Sequence, residues 1–433
     1  MKKDKFGMVL VIALFAYFLI LMDNSIVFTS SVEIGQALNL SETALAWVSN
    51  AYTLTFGSFL LLSGKLLDLF GRKKVFMIGL TIFGLASLVI GLTNNSGLLI
   101  AARAIQGIGS SIVAPTTLAL IMDEYEGKMR AKAISYYGAM AGVGSTFGLV
   151  LGGALTSYLS WRAGFLVNVP FTLILLILTG RYVKKSDGHA IKVDYVGALI
   201  SVLGLTSLIY ALSVNNNPIF MITGIILLII FIFFEKKQAN PVLPLSLFAN
   251  KNRLAGYLAR LFFMMAMLPY WFLLPQYMHA KYGFSAIENG LAFLPVTIFT
   301  FLTSFTLPRL NEKFSHKQIA ISGSIVLTIG LFLTAILNLK YGYWLSVAFP
   351  MVLSGAGQGL IMAPLTSLGI EDAPQEVAGS ASGLTNTMHQ LGGPIGLSIL
   401  VAQGANFQFN LGMMGIFIVI AILILMFLTK KVD

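Results

Sequence analysis

Asp23 is the single charged residue in an otherwise apolar run from Gly7 to Val32. If that run is a helix crossing a membrane, sixteen residues at about 1.5 Å each place the carboxyl roughly 24 Å from Gly7, inside a hydrocarbon core about 30 Å thick. An ionised carboxylate at that depth costs at least a few kcal/mol, so it faces a cavity, finds a cation or holds a proton. All three suit a carrier that moves protons; an acid permanently paired to join helices is the structural alternative. Arg103 offers the cation, six residues past Gly97 in another apolar run. A neighbouring cation favours the charged carboxylate and burial favours the neutral one, so a site balanced between them changes protonation when its surroundings change. Alternatively Arg103 reaches backbone carbonyls or the membrane interface.

Other residues could join that chemistry. Glu33 lies ten residues beyond Asp23, about 15 Å further along a helix and near its outer end. It is either a second titrating acid or a wetted helix-end carboxylate. His389, deep in a late apolar run, meets substrate or proton, or else is a hydrogen-bonded core histidine. The segment FFMMAMLPYWF (Phe262 to Phe272) carries methionine and aromatic side chains that adapt to varied apolar shapes. Its Tyr270 and Trp271, with Gln276 and Tyr277 just beyond and Asn24 beside Asp23, have polar handles suited to a substrate cavity. Tyr and Trp also anchor membrane interfaces. One deep acid and few deep bases favour lipophilic cations as substrate.

Positioning such residues falls to membrane-spanning helices. The 433 residues are 57% hydrophobic and only 10% charged, against about a quarter charged in ordinary soluble domains. Apolar runs fall near 7–32, 43–63, 75–92, 97–122, 133–157 and 163–180, then 195–213 and 218–234, then 254–278, 288–307, 318–337, 343–367, 377–402 and 408–429. At roughly 20 residues each, fourteen spans use about 280 residues and leave only short loops and ends. No G-x-x-x-x-G-K-[ST] phosphate loop occurs, so gradients are the available energy source. With no cysteine there is no disulfide or thiolate metal site, and neither a metal-spaced His cluster nor a nucleophile–base pair marks an enzyme. The basic first residues lead into an apolar run too long for a signal peptide, read as a retained first span.

The charge pattern orients the spans. With fourteen crossings, 23 Lys and Arg fall on the side of the termini and three, Arg162, Lys281 and Lys340, on the other. Positive residues concentrate in cytoplasmic loops, which places both ends in the cytoplasm and accounts for the net charge of +11 without nucleic acid. The chain also repeats itself. GKLLDLFGRKK (Gly64 to Lys74) pairs with PRLNEKFSHKQ (Pro308 to Gln318) at Leu66 and Leu310, Asp68 and Glu312, Phe70 and Phe314. GIGSSIVAP (Gly107 to Pro115) echoes GAGQGLIMAP (Gly355 to Pro364). Two related bundles around a midplane site are a common transporter plan. The expected organisation is a six-span bundle over 1–186, a two-span insert over 187–238 and a second six-span bundle over 239–433.

These residues resemble the major facilitator superfamily, specifically its fourteen-span drug-proton antiporter branch, over the whole chain. Gly64, Leu66, Asp68, Gly71, Arg72 and Lys73 match the superfamily's G-x-L-A-D-R-x-G-R-K, with Leu69 in place of arginine. Arg103, Gln106, Gly107 and Gly109 match R-x-x-Q-G-x-G, and LMDNSIV is similar to L-D-x-T-I-V with Asp23 as its acid. WRAGFLVNVP (Trp161 to Pro170), LLPQYM (Leu273 to Met278) and SGLTNTMHQLGGPIG (Ser382 to Gly396) resemble further motifs of the branch. Two departures stand out: Leu149 replaces the proline of G-x-x-x-G-P-x-x-G-G in GSTFGLVLGG, and His389 replaces an arginine. The resemblance implies that Arg103 sits near the span-1 acid and that Asp68, Arg72 and Lys73, with Gly64 and Gly71, form a cytoplasmic gate between bundles. A short charged turn serving topology is the plainer reading of that loop. Gly144, Gly148, Gly152 and Gly153 permit close helix packing in span 5.

The expected protein is therefore an all-α polytopic membrane protein with the major facilitator fold, a multidrug efflux antiporter of the cytoplasmic membrane that confers antibiotic resistance. It exports lipophilic, cationic drugs by alternating access, with protons as coupling ion, no other cofactor, no nucleic-acid partner, and a monomeric state. Exchange of Na or K ions for protons, with Asn24, Ser25 and Thr29 helping Asp23 as oxygen ligands, is the alternative on the same fold; a transport-dead sensor is a second.

Overall fold

Within lipid an apolar run can satisfy its backbone only as a helix, and helices dominate the computed structural model, which describes residues 6–186, 194–213, 217–238, 241, 243–374, 377–404 and 406–429. The first six spans are α1 (Met8–Ala37), α2 (Glu42–Phe70), α3 (Arg72–Leu92), α4 (Ser96–Glu124), α5 (Gly127–Tyr158), and a sixth interrupted at Val167 to give α6 (Trp161–Leu166) and α7 (Asn168–Tyr182). Two further helices, α8 (Tyr195–Ser213) and α9 (Pro218–Glu235), come next. The last six spans are α10 (Lys251–Tyr282), the interrupted pair α11 (Ala286–Ala292) and α12 (Leu294–Ser304), then, after the short α13 (Leu307–Asn311), α14 (His316–Leu337), α15 (Phe349–Ile370), α16 (Ala378–Ala402) and α17 (Phe407–Leu428). Thirteen helical segments are long and apolar enough to cross a membrane among the described residues. The helix not among them, α16, has 25 residues but is more polar, carrying Ser382, Asn386, His389 and Gln390. The chain is a multi-pass membrane protein.

Local chemistry sets the helix ends. Ser41, Asn95 and Asn406 each accept a backbone N–H of the first turn that follows, and Ser315 with Gln318 forms a reciprocal capping box. Pro218 opens α9 where its missing N–H costs nothing. Gly71, at φ +80°, separates α2 from α3 in a conformation that favours glycine, and a Cβ there would run into the backbone of Ser186.

By contact the chain divides into two compact units, Met1–Val202 with Ser285–Gly290, and Leu203–Phe284 with Leu291–Asp433. The boundary residues 187 and 239 expected from sequence lie outside the described residues. In the first unit α1 packs on α5, while α2 and α3 both pack on α4; in the second, α12 and α14 both pack on α15, and α10 packs on α16 and α17.

The internal repeat is written into this packing. Gly107 of α4 lies against the Tyr52 carbonyl and Thr55 of α2, and Gly109 against Gly79 and Phe83 of α3. In the second unit Gly355 of α15 lies against the Val296 carbonyl of α12, and Gly357 against Gly323 and Leu327 of α14. Tyr52 and Val296, Gly79 and Gly323, and Phe83 and Leu327 share one spacing along the chain, the same as that between Asp68 and Glu312. Thr55 Oγ1 donates to the Ala104 carbonyl of α4 at 2.7 Å, and in the second unit Thr300 Oγ1, at a position not equivalent to Thr55, donates in the same manner to the Gly355 carbonyl of α15 at 3.1 Å.

Candidate functional site

Four helices deliver the centre of the first unit's buried polar cluster, and α3 adds Ser87. α1 is apolar around its circumference from Met8 to Met22 and then presents Asp23, which is 0% exposed. Span 4 turns Arg103 and Gln106, one helical turn apart, toward that carboxylate. The break at Val167 starts α7 at Asn168, whose side chain points the same way. α2 contributes the Val48 carbonyl and the Tyr52 ring.

The geometry is closed around the acid. Arg103 Nη1 donates to Asp23 Oδ2 at 2.8 Å, while Gln106 Nε2 and Asn168 Nδ2 donate to Oδ1 at 2.9 and 2.6 Å. Arg103 Nε donates to the Val48 carbonyl at 3.0 Å, and its Nη1 also reaches Gln106 Oε1. Gln106 Nε2 is shared with Ser87 Oγ on α3 at 2.8 Å. The guanidinium carbon stands 4.2 Å from the centre of the Tyr52 ring and 5.7 Å from that of Phe165, an arrangement that stabilises a buried cation. Tyr52 is held in turn by donating to Ser110 Oγ at 2.9 Å.

Asp23 and Arg103 are both 0% exposed, so the Coulombic attraction between them must offset a desolvation penalty of several kcal/mol per ion. The hydrogen bonds from neutral amides add to that side. Two polar atoms of the cluster, Arg103 Nη2 and Asn168 Oδ1, have no hydrogen-bond partner among the described residues. Asn168 is thus the partner of Asp23 whose amide is not engaged at both ends. Chemically, a carboxylate among one cation and two amides can exchange a proton, and neutralising it leaves the guanidinium without its counter-charge.

α5 frames the acid from the other side. Gly144 meets Phe18 and Leu21, Gly148 meets Met22 and Ser25, and Gly152 meets Ile26 and Thr29, so one turn of α5 follows each turn of α1 past Asp23. Gly153 is turned about 100° off that ridge. α5 runs unbroken through Leu149, where the family pattern has proline, and that residue is buried.

The remaining expected residues lie elsewhere. Glu33 is half-buried about a turn before the end of α1, outside the Asp23 cluster. Asn24 is also half-buried and points its Oδ1 into a buried spot without a hydrogen-bond partner. His389, on α16 of the second unit, has Arg260 of α10 within electrostatic range. Arg260 is 4% exposed and donates to the Met362 carbonyl at 2.8 Å. This second deep cation was open to detection as a lone charge in the 254–278 run. Gln106 and Asn168 were also legible, as the polar residues of the two motifs quoted above.

Tyr270, Trp271, Gln276 and Tyr277 do not gather at one point. Tyr270 and Trp271 pack on Phe293, with ring centres at 6.1 and 5.0 Å. Gln276 donates back to the Phe272 carbonyl of its own helix at 2.8 Å. Tyr277 instead turns to α17, accepting from Asn410 Nδ2 and packing on Phe407.

At the start of α3, Arg72 pairs with Asp123 at the end of α4, and Lys73 Nζ donates to the Gly180 carbonyl at 2.7 Å. The Arg72 backbone N–H donates to Ser186 Oγ at 2.8 Å. Around Gly64 there is open space, and the Asp68 side chain lies outside the described residues. The α2–α3 junction is therefore anchored to two other helices of its own unit.

Comparison with known proteins agrees with this architecture. The chain is 32% identical over 406 residues to the cephamycin export protein CmcT of Amycolatopsis lactamdurans, covering 90% of this chain and 84% of that one. It is 31% identical over 412 residues to the multidrug transporter protein MdtP of Bacillus subtilis, covering 93% and 76%. The solved structure of a D-xylose-proton symporter superposes with a TM-score of 0.71 at 16% identity, covering 98% of each chain, which speaks for the fold alone. A model of the Major Facilitator Superfamily matches residues 13–397. A duplicated bundle, a buried acid–base cluster in its first half and a match along nearly the whole chain have one reading: the protein belongs to the Major Facilitator Superfamily of membrane transporters, not to an enzyme family.

Proposed function

We propose that this transporter exports lipophilic drugs from the cytoplasm in exchange for protons, with Asp23 as the proton-carrying group. The observation that carries the reading is the Asp23–Arg103 pair, both ions 0% exposed and joined at 2.8 Å. A proton arriving at Asp23 removes the guanidinium's counter-charge in a medium where an unpaired ion is costly, so it favours any conformation that rehydrates Arg103 or gives it another partner. Loss of the proton restores the pair and the conformation described here. Proton occupancy and conformation are then linked reciprocally, which is what an exchanger needs. The named relatives, one exporting a cephamycin and one handling multiple drugs, support a drug as the other cargo.

Preference for cationic drugs follows only for the state in which Arg103 has released Asp23, because in the paired state the carboxylate's charge is already balanced. Exchange of one monovalent cation for one proton moves no net charge, so the pH gradient alone drives it, at about 1.4 kcal/mol per tenfold ratio. The membrane is the cytoplasmic one, with both termini inside, by the 23 to 3 distribution of Lys and Arg.

The test is drug accumulation in everted vesicles under an imposed pH gradient, with Asp23→Asn beside the parent. The variant should lose gradient-driven accumulation while still binding drug. Undiminished proton-driven transport by Asp23→Asn removes the mechanism. Proton release stimulated by Na or K salts without drug would favour ion exchange instead.

A further inference from the structure

A groove of about 780 Å³ runs along the first turns of α3 in the first unit, walled by the end of α2 and the segment after α7. Lys73, Lys74 and Lys185 line it together with Phe70, Met77 and Ile78, and no acidic residue is among its described lining. Asp123, the nearby acid, is paired with Arg72. Lys74 Nζ stands 5.5 Å above the Phe70 ring, and Ser186, also in the lining, accepts the first backbone N–H of α3 through its Oγ.

Depth sorts these groups. The stretch of α3 long and apolar enough to cross a membrane begins at Arg72, so Lys73 and Lys74 fall at its end, where lipid headgroups would lie. Met77 and Ile78 lie three to five residues beyond Lys73 and Lys74, about 4.5 to 7.5 Å toward the hydrocarbon. Ile78 and Phe70 are 45% and 48% exposed. A cationic ring above an apolar strip matches one ligand chemistry: a phosphodiester with a net negative charge on top of acyl chains.

The internal repeat supplies a comparison. The same fold position in the second unit has a cavity of only about 180 Å³, lined by Phe314, His316, Lys317 and Thr429, and also by Glu371. At the spacing that relates the two units, Lys74 corresponds to Gln318 and Lys185 to Thr429. The fold alone therefore makes an indentation here, and Lys73 has a counterpart in Lys317, but Lys74 and Lys185 are particular to the first unit.

We propose that this groove is a binding site for one anionic phospholipid of the leaflet facing the α2–α3 loop, its phosphate held by Lys73, Lys74 and Lys185 and its acyl chains laid along α3. The test is native mass spectrometry of the full chain extracted from bilayers of equal phosphatidylglycerol and phosphatidylethanolamine. The parent should retain one phosphatidylglycerol in preference to phosphatidylethanolamine. Lys74→Gln/Lys185→Gln should lose that preference by about thirtyfold, from about 1 kcal/mol per lysine near an anionic surface. Lys128→Gln/Lys313→Gln, which removes the same charge from exposed positions outside the groove, should keep it. Equal loss in both double variants overturns the site in favour of diffuse surface charge. Displacement of the lipid by excess inorganic phosphate overturns it in favour of a phosphate site.

Discussion

If the Asp23–Arg103 pair is the energetic centre of the first unit, cutting both halves must cost far less than the sum of cutting each alone. Arg103→Gln leaves the carboxylate with two neutral donors, Gln106 and Asn168, and no counter-ion, and it abandons the Val48 carbonyl and the Tyr52 ring face. Asp23→Asn leaves a guanidinium that is 0% exposed without an anion. Breaking a buried ion pair from one side costs about 3 to 5 kcal/mol, because an uncompensated charge remains. The double variant has no buried charge in the cluster, and its two introduced amide side chains can still hydrogen-bond with Gln106 and Asn168. It should cost about as much as one single variant, which makes the interaction energy about 3 kcal/mol, well outside the roughly 0.3 to 0.5 kcal/mol scatter of independent sites. The assay is denaturant unfolding of detergent-solubilised protein followed by tryptophan fluorescence, since the chain has four tryptophans and no cysteine for thiol dyes. Additive costs for the two single changes would refute the pair as a coupled unit, and with it the inference that protonating Asp23 destabilises this conformation.

Asn168→Leu removes the 2.6 Å donor to Asp23 but no ion, so it should cost about 1.5 to 3 kcal/mol and weaken drug-driven proton release while leaving expression measurable; a parent-like release curve would exclude Asn168 from the proton site. Gly148→Val forces a side chain onto Met22 and Ser25 beside Asp23 and should lower unfolding stability by about 1 to 3 kcal/mol. Gly64→Ala, with open space at its Cβ, should be neutral or stabilising by up to about 1 kcal/mol in the same measurement. A transport defect in Gly64→Ala at unchanged stability would then assign Gly64 to the gate. Gly71→Ala meets Ser186 at a positive φ and should destabilise by at least about 1 kcal/mol, seen as faster proteolysis of the loop between α2 and α3.

Much of the architecture was legible because hydrocarbon imposes a simple rule: each apolar run must be a helix of roughly 20 residues. The fourteen runs correspond in order to helices, and the pairing of Asp68 with Glu312 was a true sign of the repeat that glycine packing displays. The breaks at Val167 and Phe293 change little in hydropathy; a proline follows each, Pro170 and Pro295, but Pro269 and Pro275 leave α10 unbroken, so proline alone does not locate a break.

Asp23 and Arg103 were identifiable from depth alone, since a charge in oil is conspicuous wherever it stands. Who partners them was not, because Val48, Ser87, Gln106 and Asn168 come from four different helices, and only tertiary packing brings their polar atoms within 3.0 Å of the pair or its partners. The same holds for Arg260, whose chain position shows a buried cation but not its contact with the Met362 carbonyl or its nearness to His389. Tyr270 and Tyr277 make the converse point: seven residues apart on one helix, they differ by about 20° in ideal projection, yet neighbours at Phe293 and Asn410 draw them to different helices. Composition and periodicity determine what must be buried in lipid; only the packed helices decide which buried polar groups face one another, because hydrogen bonds and ion pairs depend on ångström distances that the linear order does not encode.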